Sequence, residues 1–355
     1  MLDDLAGVLA TFDEQAAAID RDGVRRDHLA ALADAGFFTA TAPPSPGRPS
    51  VAPAVARESV ERMAAVSGAV WFVATQHGSP SRAAAGTANV PLRQRWAAPL
   101  ASGEALGAVA FAHIRRSGPP TVRAERTTGG WRIDGRLDWL TSWGLADVVL
   151  LLAQTDDDEV VQVLLPAEPR DGWHVTGPLE LAAMSATSTV GVRLDALQVD
   201  DDEVADVLPR REWLAADAMR VVNTNPAVVG LLRAVVDDLH RLGVQRSQPR
   251  AVAAAQRLAD DVRTLRTQAY HLLDDVPEDE QLDERLALRA RLLTTAQRAA
   301  AARVAAEGGA AMTLRSPAQR WAREAMFHLV QAQTQPLRET LLDDFAWASQ
   351  EREQP

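Results

Sequence analysis

The 355-residue sequence predicts an α+β multidomain chain: an N-terminal helical domain, a central β-barrel or sandwich domain, and a C-terminal four-helix bundle. Three observations carry this. Residues 1–103 place apolar side chains at helical spacing. Residues 104–205 alternate apolar and polar positions between turn signals. Residues 206–355 return to helical periodicity in long runs.

In the first segment, "VARESVERMAAVSGAVWFVATQHG" has helical spacing, and "PLRQRWAAPLASG" reads as a short helix closed by a C-terminal glycine. The Pro-rich "TAPPSPGRPSVAP" reads as a loop. In the second segment, "TVRAERTTGGWRIDGRLDW" alternates around a Gly-Gly turn, a hairpin signal. "ADVVLLLAQTDDDEVVQVLLP" holds two β-branched runs around an acidic turn, and "GVRLDALQVDDDEV" alternates again. Short connections within roughly 100 residues suit one barrel or sandwich. The third segment predicts helices over 212–242, 249–273, 283–307 and 318–348, broken at "DDVPEDEQL" and "GGAAMTLRSP". Four such helices predict an up-and-down bundle.

Composition narrows the function classes. A net charge of −11 disfavours a nucleic-acid partner, since phosphate neutralisation needs a basic face. With no cysteine, disulfides, thiolate nucleophiles and Cys-ligated metals are excluded. No apolar run approaches the roughly 18 residues of a membrane span. The acidic start "MLDDLAGVLATFDEQ" lacks the pattern of a secretory signal, so a cytoplasmic location without membrane association is expected. No histidine or carboxylate pair has metal-ligand spacing, and no G-x-S-x-G elbow is present.

The stretch "GRLDWLTSWGLADVVLLLAQT" spends two of nine tryptophans, Trp139 and Trp143, on either side of Thr141. Spacing alone reads both as β-domain core and Thr141 as a strand residue. Four ordered blocks add to this. "AERTTGGWRIDGRLDWLT" resembles the pattern of the acyl-CoA dehydrogenase superfamily that ends in Trp-Ile-Thr, followed by Ala146 and Asp147. "MSATSTVGVRLDALQVDD" resembles its next block, with Asp200 where the family has Pro. "AAQRLADDVRTLRTQAY" is similar to its Q-x-x-L-A-D-M helix. "AEGGAAMTLRSPAQRWAREAMFHLVQAQTQPLRE" resembles its closing block, and a weaker echo is the helix before Gly36, Phe37 and Phe38.

The resemblance implies FAD, with FMN as the alternative. It places Trp139 over one ring face, Thr141 with its neighbouring backbone at the flavin N5 edge, and Ser142 beside it. Trp143 would line the cavity. It also assigns Arg246 and Gln256 to cofactor contact on a bundle helix, Gly308 and Gly309 to the pyrophosphate or adenosine of a neighbouring subunit, and Thr334 to the closing motif. Exposed helix faces and a helix C-cap are the plain alternatives for these residues. An indole supplies area and stacking, while a hydroxyl fixes a polar ring edge. The family's oligomers imply a homodimer or homotetramer.

Two departures change the chemistry expected. The family's T-E-P-x-x-G-S-D is replaced by "GAVAFAHIRRSGPP", with Ser117 and Gly118 as a remnant. The catalytic Glu of many family dehydrogenases aligns with Ala332, and an earlier helix that carries the base in other members offers only Asn223 and Asn225. Neither residue type takes a proton at neutral pH. Three histidines remain as candidate catalytic groups: His77 at a helix end, His113 on a strand in place of the missing loop, and His328 in the last helix. His28, His174, His240 and His271 sit among charges and are expected to be solvated.

Three functions follow. The first is an FAD-dependent oxidoreductase of acyl-CoA dehydrogenase type, acting on an acyl thioester or related carbonyl compound and served by an electron-transfer partner. The second is a two-component monooxygenase that takes reduced flavin from a reductase and uses oxygen. The third is a flavin-free, non-catalytic relative.

Overall fold

The computed structural model describes residues 1–43 and 51–347; most of the Pro-rich loop expected around residues 41–53 lies outside them. Helices come first: α1 (Leu2–Asp22), α2 (Arg26–Asp34), α3 (Phe37–Thr41), α4 (Pro53–Val66), α5 (Gly68–Gln76), α6 (Gly78–Gly86) and α7 (Val90–Ser102). In α1, Leu5, Leu9, Phe12, Ala16 and Ile19 recur every three or four residues and form its buried stripe. The run read as one helical segment over 55–78 is split by Ser67 between α4 and α5. The Asn89 side chain caps α7 by accepting from the Leu92 amide at 3.3 Å, and Gly103 ends it at φ 83°.

Strands follow as β1 (Gly107–Ala110), β2 (Val122–Thr127), β3 (Gly130–Leu140), β4 (Val148–Gln154), β5 (Glu159–Pro166), β6 (Trp173–Pro178), β7 (Val190–Asp200) and β8 (Val204–Pro209). They form one sheet in the order β6-β7-β3-β2-β4-β5-β8, with β1 parallel to β4. The Gly-Gly signal is the β2–β3 turn, where Thr127 pairs with Gly130 and Gly129 takes φ 85°. The run "VVLLLA" in β4 is buried at every position because both its faces are covered. Val149, Leu151 and Ala153 join the sheet interior, while Val148, Leu150 and Leu152 pack with Ala84, Leu92, Trp96 and Leu100 of α6 and α7.

The chain continues as α8 (Arg210–Val221), α9 (Pro226–Gln245), α10 (Pro249–Asp275), α11 (Leu282–Glu307), α12 (Pro317–His328) and α13 (Gln335–Trp347). Two expected helices are each divided. The helix over 212–242 breaks where Asn225 caps α9 through the Ala227 amide and Pro226 occupies its first turn. The helix over 318–348 breaks after His328, with Ala332 left-handed at φ 49° and Pro336 opening α13.

Packing divides the described chain into two units. One comprises residues 1–59, 69–181 and 185–214; the other comprises 60–68, 182–184 and 215 onward. Within the second, α9 lies against α10 and α11, and α11 against α12 and α13. Glu61 is fully buried there. Its carboxylate accepts from Arg233 at 2.8 Å, Arg266 at 2.9 Å and the Tyr270 hydroxyl. Such a charge is tolerable because every oxygen is paired.

Gly230 is what lets this segment approach α9, since a Cβ there would lie 2.0 Å from the Glu61 carbonyl oxygen. Gly230→Ala should therefore lower stability in urea unfolding by about 1–3 kcal/mol. Gly7→Ala, on an exposed turn of α1 with nothing within 4 Å, should raise it by about 0.5–1 kcal/mol. Equal effects at the two sites would refute the close-approach account.

Candidate functional site

In the first unit the Trp139–Trp143 segment ends β3 and turns sharply. β3 pairs with β7, with a register shift between Leu137 and Leu140. Leu137 and Leu140 go into the core while Trp139 stays 50% exposed. Trp139 is thus not core, whatever its spacing implied. Thr141 is buried, and its Oγ1 lies 3.0 Å from that of Thr189, itself 2.8 Å from Thr187 Oγ1. Ser142 is left-handed at φ 69°, and its buried hydroxyl has no hydrogen-bond partner among the described residues.

The backbone here differs from the expectation. The Ser142 amide donates to the Thr187 carbonyl at 3.0 Å and the Trp143 amide to the Ser188 carbonyl at 3.1 Å. Neither of these two N–H groups is left for a ligand. Trp143 is half-buried and stacks on Trp173, with centroids 5.8 Å apart and planes 17° apart.

The histidines are corrected in three respects. His77 has no idle nitrogen: Nε2 donates to the Leu100 carbonyl at 2.6 Å and Nδ1 accepts from the Gly107 amide at 3.2 Å. It ties the end of α7 to β1. His113 lies in a 3-10 turn, Ala112–Arg115, rather than on a strand, with Nε2 at 2.8 Å from the Leu152 carbonyl. The next residue, Arg116, pairs with Asp138 at 2.7 Å, which brings this replacement loop beside Trp139. His28 is buried on α2 with Nδ1 accepting from the Arg25 amide, so it is not solvated; His174, His240 and His271 are exposed. Its charged neighbours misled, since position 28 shares the buried face of Leu29 and Leu32.

Within the second unit, Arg246 caps α9 and donates to the Glu307 carbonyl at 2.9 Å, beside Gly308. Gly308, at φ 76°, and Gly309 have open space where a Cβ would stand. Gln256 lies exposed on α10, one helix further along than Arg246. Thr334 Oγ1 accepts from the Leu337 amide at 3.4 Å at the start of α13. Sequence reasoning missed Arg285 and Arg289, buried one turn apart on α11. Arg285 binds Asn223 Oδ1 at 2.7 Å and four backbone carbonyls. Arg289 binds the carbonyls of Val221, Gln331 and Ala332. The available signal was two arginines in register with Leu288 and Leu292 on an otherwise apolar stripe.

Among the described residues no group of His, Asp or Glu could hold a metal, and no helix is long and apolar enough to cross a membrane. No protein-family model and no curated protein matches the sequence. Solved structures do. Butyryl-CoA dehydrogenase from Megasphaera elsdenii is 15% identical, with 97% of each chain covered and a TM-score of 0.78. The chain has the acyl-CoA dehydrogenase fold. FkbI, for biosynthesis of the methoxymalonyl extender unit of Fk520, shares this fold at 19% identity and TM-score 0.75, covering 97% of this chain and 99% of its own. So does the FAD complex of PigA, at 13% identity and TM-score 0.75, with 97% and 98% covered.

Burial holds three imidazoles neutral in this fold. His77 and His113 are pushed down to about 4, and His328, with Arg289 nearby, to about 3. Above the ordinary value of 6.5 none adds pH dependence. Below it the unfolded chain takes up protons that the folded chain refuses, so stability falls as pH falls from 6.5 towards 4. At about 1.4 kcal/mol per pH unit, each should cost about 2 kcal/mol near pH 5. Urea unfolding near pH 7 and pH 5 measures this, and His77→Gln should shed one share of the difference. Stability that is flat over the interval contradicts it.

Proposed function

We propose that the chain is an FAD-dependent oxidoreductase whose flavin rests against Trp139. The observation that carries this reading is the exposed indole set directly beside buried, hydroxyl-bearing Thr141 and Ser142 at the end of β3. A flat amphipathic ring needs an apolar face and a few placed polar groups. Trp139 supplies the face. Where Thr189 donates to Thr141, the Thr141 proton is left for an acceptor on the ring edge, and the unpaired Ser142 hydroxyl is a second donor. Bound flavin would supply two-electron chemistry that no side chain of this protein can perform. FAD of a solved structure of this fold supports that choice of cofactor over FMN.

The protein's own residues then bind, orient and exclude water. Gly308 and Gly309, open at Cβ and next to Arg246, suit close contact with the phosphates or adenosine of a dinucleotide held by a neighbouring subunit. Met312 and Leu314, exposed just beyond them, suit a homodimer or homotetramer.

For the reaction, the oxygen-using reading is favoured over thioester desaturation by one observation. The position expected to hold the base is Ala332, whose carbonyl is bound by Arg289, and Asn223 at the alternative position is bound by Arg285. Losing a general base costs roughly 10²–10⁴-fold, so desaturation of an acyl-CoA or carrier-bound thioester would be slow. A monooxygenase supplied with reduced flavin by a reductase needs no such base.

Titration of the purified protein with FAD, followed by absorbance, should give a yellow complex. Trp139→Ala should weaken it about tenfold, and Thr141→Val should weaken it or shift the flavin spectrum. Colourless protein that takes up no FAD sinks the reading and leaves the flavin-free relative. Oxygen-dependent turnover of reduced flavin is expected, whereas anaerobic bleaching by an acyl-CoA would restore the dehydrogenase.

A further inference from the structure

We infer that Arg116 and Arg136 form an oxyanion seat on the outer face of β3, taking a phosphate or carboxylate of the molecule that lies against Trp139. The seat follows from an irregularity in the strand. Leu137 and Leu140, three positions apart, both enter the core, which the two-residue period of a regular strand does not allow. The register shift between them against β7 accommodates the extra residue, so Asp138 and Trp139 both remain outside the core.

The Asp138 carboxylate is shared by two guanidinium groups. Arg116 Nη1 lies 2.7 Å from Oδ2, and Arg136 Nε lies 3.2 Å from Oδ1. Two cations on one carboxylate leave a net positive charge, in a chain whose formal net charge is −11. Across the sheet Arg136 stands directly opposite Arg193, and Arg193 opposite His174. Like charges so placed destabilise a sheet, and Asp195 at 2.6 Å offsets only Arg193. Towards the β2–β3 turn the balance reverses, since Arg132 has both Glu125 and Asp134. Positive charge is therefore gathered at the Trp139 end of β3.

The Arg116 backbone is fixed in place. Arg210 donates to the carbonyls of Ile114 and Arg116, each at 3.0 Å. His113 holds the Leu152 carbonyl, Ile114 is buried, and Phe111 meets Trp213 edge-on with centroids 5.7 Å apart. All of these residues belong to the first unit. The other N–H groups of the Arg116 and Arg136 guanidiniums have no hydrogen-bond partner among the described residues, and these side chains are 46% and 78% exposed. A guanidinium presents a planar fork of donors matched to phosphate or carboxylate oxygens.

An indole face beside such forks selects a flat ring that carries an anionic group. Thr141 and Ser142 follow Trp139 in the chain and Asp138 precedes it, so hydroxyls and cations flank the indole on opposite sides in sequence. A flavin nucleotide's phosphate is one source of the anion, which rests on the flavin reading. A substrate carboxylate is the other, which does not.

Titrations of the unliganded protein with riboflavin, FMN and FAD test the first source. Those with 2-naphthol, 2-naphthyl phosphate and 2-naphthoate, followed by the Trp139 indole N–H resonance, test the seat without a flavin. FMN and FAD are expected to bind about tenfold more tightly than riboflavin, and Arg116→Gln to remove that advantage while riboflavin affinity holds. Should this variant fail to fold, Arg136→Gln alters the more exposed fork. A carboxylate advantage without a phosphate advantage assigns the seat to substrate. The proposal is overturned if no anionic probe outbinds its neutral counterpart, or if the advantage survives both substitutions. Protein that prefers the naphthyl anions but takes up no flavin keeps the seat and sinks the flavin reading alone.

Discussion

Two backbone hydrogen bonds, from the amides of Ser142 and Trp143 to the carbonyls of Thr187 and Ser188, set the candidate site. They hold a turn whose Ser142 is left-handed, a conformation that costs an L-residue roughly 1–2 kcal/mol. Ser188 on the facing segment is left-handed too, at φ 50°. Strain of this kind persists only where its surroundings over-determine it. Here the surroundings are the hydroxyl chain Thr141–Thr189–Thr187 and the two bonds that close Leu145 and Ala146 onto the Ser142 carbonyl. The consequence is a division of labour. The two amides are spent on architecture, the Ser142 hydroxyl is left without a partner among the described residues, and Trp139 is turned outward.

The second unit is governed by buried guanidinium groups. Arg303 sits between the carboxylates of Asp238 and Glu307. Arg285 and Arg289 are satisfied differently, by backbone carbonyls at helix ends and turns. Carbonyls at the ends of helices carry partial negative charge, so a planar five-donor cation can serve several at once. Each arginine thereby closes a break in the bundle. Arg285 joins the end of α10 to the α8–α9 break, and Arg289 joins that same break to the turn after α12.

Much of this architecture was legible in the chain. The alternation around Thr128 and Gly129, the doubly apolar run of β4, and the ends of α10 and α11 follow from local periodicity and turn chemistry. Helix breaks were read through because apolar periodicity resumes on both sides, although Asn225-Pro226 and Gln335-Pro336 carried the stop signal. Charged neighbours misplace His28, and spacing alone would misplace Trp139, for opposite reasons. One is a polar ring that its helix phase buries, and the other is an indole that a register shift exposes. The closeness of Leu29, His77 and Ala146 could not have been read, since they lie far apart in the chain.

The histidines and the missing carboxylate together constrain what chemistry this fold can do here. A proton acceptor working near neutral pH should have a matching pKa and an idle atom within reach. His77 is held near 4 with both nitrogens bonded, and His328 near 3. His113 is likewise near 4 and bound to Leu152. Ala332 offers no carboxylate, and Asn223 is committed to Arg285. On the proposed reading the Trp139 turn would seat a flat ring and hold its edge, while the groups named in either unit offer no agent for proton abstraction from carbon. Reactivity, on that reading, would then come from what is bound.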